Sequence, residues 1–540
     1  MDVRTGERGE RVDRYLVPVV ADAAAGGGGP DGPGAREAVD GDGAWRALGV
    51  AIAKGRVIPA MTRDGSEPTA GANGAQVEAA LVCRASPGLG HAWAEGGAPD
   101  AEPEAVDPWD ALVAAAANGT LRERPDDADE EVADAERVRG LHDPFAVDPV
   151  GGGGSLGASG AGDAVDAADG VDDGVDLEPL LEPSAIAALM DASPEVPLGR
   201  DQSNTSSVLG GRLLLKAYRR LQPGLNPDLE LTAYLSEEAG FPGVPRLGGW
   251  AEVVTRDGGV ATAAMLGAFI ADADDAYERT AEFLAGLAAA PGTVSLEWAT
   301  EVAEDLGLML AGLHTALAAP PPDVPDMAPR PATHDELKAW RMDAHRQLAL
   351  AVPAVMVADP QLGAWLKDEA AQIAARFSRF EAVATAPTVM RIHADLHLGQ
   401  ILVGEDGYRV IDFEGEPLRP IEDRRRPDSP LRDVASLLRS LDHVARSARR
   451  RAERRNGGPV EHPALDTDAW IERARERFLA AYAGGLRSSG AGLTLDLDLL
   501  DAFEVAKEGY EFVYAATVLP SWLWAPAEGM RWLLAHGEPA

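Results

Sequence analysis

Residues 391–413 read RIHADLHLGQILVGEDGYRVIDF and gather side chains able to move protons and bind metal. His393, Asp395, His397 and Gln400 are crowded together, and Asp412 follows the β-branched run Tyr408-Arg409-Val410-Ile411. These types suit phosphoryl transfer. A carboxylate such as Asp395 takes the proton of an attacking hydroxyl. An amide oxygen and a second carboxylate, Gln400 and Asp412, are hard ligands for magnesium on nucleotide phosphates. One loop and its adjoining hairpin would fix all three. A chance surface hairpin would make Asp395 a turn residue and His397 a core histidine. It gives no reason for three proton- or metal-competent groups to converge.

The pattern resembles the catalytic loop of protein kinases, H-R-D-x-x-x-x-N followed by a hairpin and D-F-G, with Gln400 in place of Asn. Such a site needs a lysine strand and a glutamate helix to position the nucleotide. Apolar runs flank Gly210-Gly211, a hairpin signal, and Lys216 ends the second strand. The preceding polar run, Ser203, Asn204, Thr205 and Ser206, offers hydroxyls, an amide and backbone N–H groups to phosphates, without a G-x-G-x-x-G pattern. Asn226-Pro227-Asp228-Leu229-Glu230 opens a helix, so Glu230 is the expected ion-pair partner of Lys216.

Residues 243–270 read as two further strands around Arg256-Asp257-Gly258-Gly259. Beyond them the chain turns helical: Val302, Leu306, Leu310, Leu313 and Leu317 share one face, as do Leu366, Ile373, Phe377 and Phe380. His314, beside the first stripe, reads as a core histidine. Asp433 at a helix start has two readings: an anchor for the catalytic loop, or an acid placed for the helix dipole. The expected fold is α+β and bilobal, protein-kinase-like, with a β-rich N-terminal lobe carrying a cap subdomain and a mostly helical C-terminal lobe.

The 540 residues include 88 Asp and Glu against 49 Lys and Arg, a formal net charge of -39. That acidity argues against nucleic acid or an anionic membrane as partner but not against a nucleotide held by a few local cations. Cys83 is the single cysteine, which rules out an intramolecular disulfide and fits a reducing cytoplasm. No apolar run is long enough to span a bilayer, and the first residues lack a signal peptide's apolar core. A monomer or weak oligomer is expected.

Residues 1–106 read as a small cap-like unit of short strands, clearest at residues 15–20 and 50–53, with no catalytic pattern. Residues 107–270 form the rest of the N-terminal lobe, with a helix expected at 108–118. A Gly/Ala/Asp segment at about 149–176 is too poor in large apolar residues to order itself, and reads as a flexible acidic insertion. Residues 271–540 form the helical lobe.

The stretches HADLHLGQILV, VIDFEGEPLRPIEDRRRPDSPLRDVASLLRSLDH and DQSNTSSVLGGRLLLKAYRRLQPGLNPDLEL resemble the bacterial maltokinases, relatives of the aminoglycoside phosphotransferases. The likeness runs from about residue 198 to the C-terminus. It implies transfer of the γ-phosphate of ATP, with Mg2+, to the anomeric hydroxyl of maltose. It also implies Asp395 as base, Gln400, Asp412 and Glu414 around magnesium, residues 203–206 over the phosphates, and His397 near the sugar. Lys507, Tyr510, Glu511 and Tyr514 resemble the maltose-binding helix; an aromatic face with hydroxyls and a cation suits a disaccharide, although a plain amphipathic helix has the same spacing. The run 515–522 departs from the charged residues the likeness calls for. Two rivals stand beside maltose: glucosamine or another monosaccharide as acceptor, and a nucleotide- or sugar-binding pseudokinase.

Overall fold

The structure is a computed structural model that describes residues 195–536, apart from 199–203, 256–258, 291–292, 321–326, 417–418, 420 and 461–462. Before residue 195 it describes 2–5, 11–15, 19–21, 35–37, 44–53, 57–59 and 79–85. Ser203, the helix expected at 108–118 and the acidic segment at 149–176 lie outside the described residues.

A seven-stranded antiparallel sheet builds the N-terminal lobe. Its spatial order is Val57–Pro59, Ala79–Ala85, Leu247–Thr255, Val260–Ala268, Leu213–Tyr218, Asn204–Leu209 and Glu195–Pro197. Strands from before residue 106 thus join the strands that carry the lysine. Gly210 and Gly211 turn the expected hairpin at φ 64° and 69°, a region that costs glycine little. Asn204, Thr205 and Ser206 are strand residues, with Asn204 opposite Tyr218 and Ser206 opposite Lys216. These three residues therefore belong to a strand and not to a loop.

Two N-terminal expectations change. Residues 50–53 lie in the helix Ala44–Ala53, because Trp45, Leu48 and Ile52 repeat with a helical period that four residues alone do not reveal. Trp45 and Ile52 bury against Leu209, Leu213 and Leu215 of the sheet. The strand expected at 15–20 is split between Arg11–Tyr15 and Val19–Ala21, which belong to different sheets.

The helical lobe is held by Leu306, Leu310, Leu313, Phe377, Phe478 and their neighbours in one continuous core. Helices Glu301–Leu317 and Thr467–Ser489 cross closely: a Cβ on Gly307 would sit 2.5 Å from the Phe478 carbonyl oxygen. His314 is fully buried, with Nδ1 2.8 Å from Tyr482 Oη. Helix His334–Ala358 starts in a reciprocal cap between Thr333 and Glu336. It packs beside Leu497–Thr517, which Asp496 caps. Among the described residues no helix is long and apolar enough to cross a membrane.

Candidate active site

The loop 393–400 is held from beneath. The Asp433 carboxylate, 1% exposed in the first turn of helix Leu431–Asn456, accepts the N–H groups of His393 and Ala394, each at 2.9 Å. Asp433 is thus a loop anchor. The Leu398 N–H donates to Ser440 Oγ at 3.0 Å, two turns further along the same helix. Ala394 has φ 70° and Asp412 φ 65°. Each costs about 1–2 kcal/mol for a residue with a Cβ, so the surroundings must enforce them. The His393 ring lies 3.0 Å through Nε2 from the Ile411 carbonyl, tying the loop to the end of its hairpin. That hairpin, Ile401–Gly404 with Gly407–Val410, forms as expected.

Asp395 Oδ1 lies 3.4 Å from Nζ of Lys507, a residue that lines a cleft. His397 turns back on its own loop: Nδ1 accepts the Gly399 N–H at 3.1 Å, and Nε2 lies 3.5 Å from Gln400 Nε2. Gln400 in turn donates to Asp412 Oδ2 at 3.4 Å.

Lys216 faces a cluster of acids. Its Nζ lies 2.7 Å from Asp412, 2.7 Å from Glu414 and 2.9 Å from Asp228. Burial works against the ammonium charge, but the three carboxylates outweigh it and hold the Lys216 pKa well above its ordinary value. Burial pushes the Glu414 carboxyl up, as do Asp412 and Asp228, against the pull of Lys216. Asn204 Nδ2 donates to Glu414 Oε1 at 2.7 Å. Thr205 Oγ1 accepts from Arg219 Nε at 2.7 Å.

The expected Lys216–Glu230 pair does not form. Asn226 caps the helix Pro227–Ala233 with Pro227 at its first position, so Asp228 faces the lysine strand. Glu230, two residues on, is about 200° around the helix. It instead pairs with buried Arg391, just ahead of the catalytic loop, and with Arg425 at 2.8 Å. Asp228, 1% exposed, also accepts from Tyr218 Oη at 2.9 Å and from the Phe413 N–H at 3.0 Å. It links the lysine strand to the turn that carries Asp412 and Glu414. The available signal was the Asn-Pro-Asp opening, which fixes the helix phase.

The helix Leu497–Thr517 brings Lys507 and Tyr510 to the cleft. Lys507 Nζ is 3.0 Å from Glu511 Oε1 and lies over the Tyr510 ring, 4.7 Å from its centroid. Burial lowers its pKa, but Glu511, Asp395 and Glu416 together raise it. Burial drives the buried Tyr510 hydroxyl far above its usual value, with Glu416 and Asp395 adding to the effect. Tyr514 packs, half-buried, against the core and does not line the cleft.

Two acids that the sequence did not single out complete the wall, Asp343 of helix His334–Ala358 and Glu416. Arg419 bridges them, 3.0 Å from Asp343 Oδ2 and in contact with Glu416 through Nε. Burial would raise the Asp343 carboxyl, but Arg419 and Arg432 hold it down at about 2. The empty space of the cleft, its open mouth included, is about 520 Å³.

Asp228, Asp412 and Glu414 each offer a carboxylate oxygen within 4.8 Å of the others. Such hard oxygen donors beside a buried lysine fit magnesium carrying nucleotide phosphates. A sheet lobe with that lysine, set against an anchored acid-bearing loop on a helical lobe, defines a kinase-like phosphotransferase. The profile described as the phosphotransferase enzyme family matches residues 195–487, more than half of the sequence, and the chain belongs to that family.

Among its relatives is a glucosamine kinase from Streptacidiphilus jiangxiensis, 31% identical over 330 residues, 60% of this chain and 70% of that protein. A glucosamine kinase from Mycolicibacterium smegmatis (strain ATCC 700084 / mc(2)155) is 29% identical over 347 residues, 64% of this chain and 81% of that protein. A solved glucosamine kinase in complex with glucosamine, ADP and inorganic phosphate superimposes with a TM-score of 0.58 at 22% identity, over 96% of this chain and 88% of the other. That last likeness concerns the fold.

Proposed function

We propose that the protein is an ATP- and magnesium-dependent sugar kinase whose acceptor is an amino sugar, with glucosamine the first choice. The observation that carries this reading is the pair Asp343 and Glu416 in the cleft that Lys507, the partner of Asp395, also lines. A pair of carboxylates is what a protonated amine needs, and an uncharged sugar gains less from them. The relatives that are glucosamine kinases support the same acceptor.

Asp395 takes the proton of the attacking hydroxyl, worth about 10²–10⁴-fold in rate. Lys216 holds the phosphates and is itself oriented by Asp228. Gln400, Asp412 and Glu414 would hold magnesium, with Asn204 steering Glu414. The bound ion supplies charge neutralisation on the phosphates. Asp433 keeps Asp395 in place through the backbone of the two residues before it. His397 shapes the turn that presents Gln400.

Maltose is the competing acceptor, and the Lys507–Tyr510 pattern is what favours it. In this structure Lys507 is engaged by Asp395 and Glu511. The test is kcat/KM for glucosamine, glucose and maltose under saturating ATP. A charge-assisted hydrogen bond is worth about 1.5–3 kcal/mol, so glucosamine should exceed glucose by about 10–150-fold. Equal turnover of glucose and glucosamine would remove amine recognition, and a preference for maltose would replace the amino sugar.

A further inference from the structure

Two side-chain oxygens lining the cleft are buried without hydrogen-bond partners among the described residues. Gln347 is 4% exposed and its Oε1 accepts nothing; Ser436 is 6% exposed and its Oγ is equally unmatched. Buried polar groups are as a rule paired, so each such exception calls for an account.

Their placement narrows the account. Asp433, Ser436 and Ser440 stand on one face of helix Leu431–Asn456. Asp433 and Ser440 each accept a backbone N–H of the catalytic loop, whereas the Ser436 hydroxyl between them holds none. Gln347 follows Asp343 by one turn of helix His334–Ala358 and lines the same cleft. Behind both, Trp340, Phe380 and Phe503 meet edge to face, with centroids 4.9–6.3 Å apart. The cleft therefore combines an aromatic backing, a neutral acceptor, a hydroxyl and the Asp343–Glu416 carboxylates. A pyranose ring carries the complementary parts: an apolar C–H face, neighbouring hydroxyls and, in a hexosamine, an ammonium.

We propose that Gln347 and Ser436 are specificity-determining residues that hydrogen-bond the hydroxyls of a single hexosamine ring entering this cleft. This rests on the sugar-kinase reading of the site and adds the residues that select its acceptor. Neither group takes part in the transfer step, so their contribution falls on acceptor binding.

The test is steady-state kinetics of Gln347→Met and Ser436→Ala with ATP and glucosamine, with melting temperatures recorded alongside. Methionine keeps the length of the glutamine side chain, and the serine change deletes one oxygen, so a fold lost in the first leaves the second informative. Each variant should raise the acceptor KM about 10-fold, while the KM for ATP stays within about twofold. An unchanged acceptor KM in a folded variant would overturn the proposal and leave these groups to buried water. If wild-type protein ignores glucosamine but phosphorylates another sugar, the acceptor assignment fails separately. The same two variants are then measured with that sugar, and an unaltered KM again overturns their role. Absence of any turnover, together with no calorimetric binding of glucosamine, also overturns it.

Discussion

Replacing Asp228 by Asn separates the structure from the simpler expectation that Glu230 partners the lysine. Asp228 accepts from Lys216, Tyr218 and the Phe413 backbone, all at 2.9–3.0 Å. Asparagine keeps one acceptor oxygen but removes the charge, so Lys216 is left to Asp412 and Glu414 alone. Loss of a hydrogen bond to a charged group is worth about 1.5–3 kcal/mol, which corresponds to about 10–150-fold in kcat/KM for ATP. Glu230→Gln should act on stability instead. It strips the charge paired with buried Arg391, and breaking a buried pair from one side typically costs about 3–5 kcal/mol. Coupled-assay kinetics at low temperature, where both variants are folded, and urea unfolding of each give the comparison. If Glu230→Gln collapses kcat/KM for ATP while Asp228→Asn leaves it within about threefold, the assignment of Asp228 is wrong.

Further predictions follow from the loop and the cleft. Asp395→Asn should lower turnover by about 10²–10⁴-fold while calorimetric ATP binding is retained; near-normal turnover would assign the base elsewhere. Asp433→Ala leaves two buried N–H groups without an acceptor, at about 1–3 kcal/mol each, and frees the strained Ala394. Turnover and urea stability should fall together, and an unaffected kcat would show that the loop keeps its shape without this anchor. Asp343 sits at about 2 when folded against an ordinary value of 3.8. Its contribution is fully present above pH 3.8 and is lost as pH falls through about 2; the gap corresponds to about 2.5 kcal/mol. The stability difference between wild type and Asp343→Asn should therefore be flat from pH 8 to 5 and shrink below pH 4. A difference that grows toward acid would contradict the Arg419 pairing.

The catalytic loop, its hairpin and the lysine strand were legible because each is a local pattern in which neighbours in sequence remain neighbours in space. Both readings of Asp433 are met: it accepts two backbone N–H groups of the loop and lies in the first turn of its helix. The lysine's partner was misread by two residues, since an acid in a first helical turn points anywhere until the cap fixes the phase. Residues 50–53 failed for a related reason: four apolar residues fit strand and helix alike, and the period needed Trp45. Asp343, Glu416, Gln347 and Ser436 had no local signal. They come from three separate segments, and only packing of helices His334–Ala358 and Leu431–Asn456 around the catalytic loop makes one cleft of them. Tyr514 kept its helical spacing with Lys507 and Tyr510 yet packs half-buried against the core, outside the cleft lining.

The proposed reaction moves a phosphoryl group from ATP to an amino sugar. Phosphorus NMR of the protein with ATP, magnesium and glucosamine reads it directly. The account predicts a sugar-phosphate resonance growing in step with ADP, absent for Asp395→Asn. ADP appearing with inorganic phosphate alone, or no loss of ATP with any sugar offered, would contradict it.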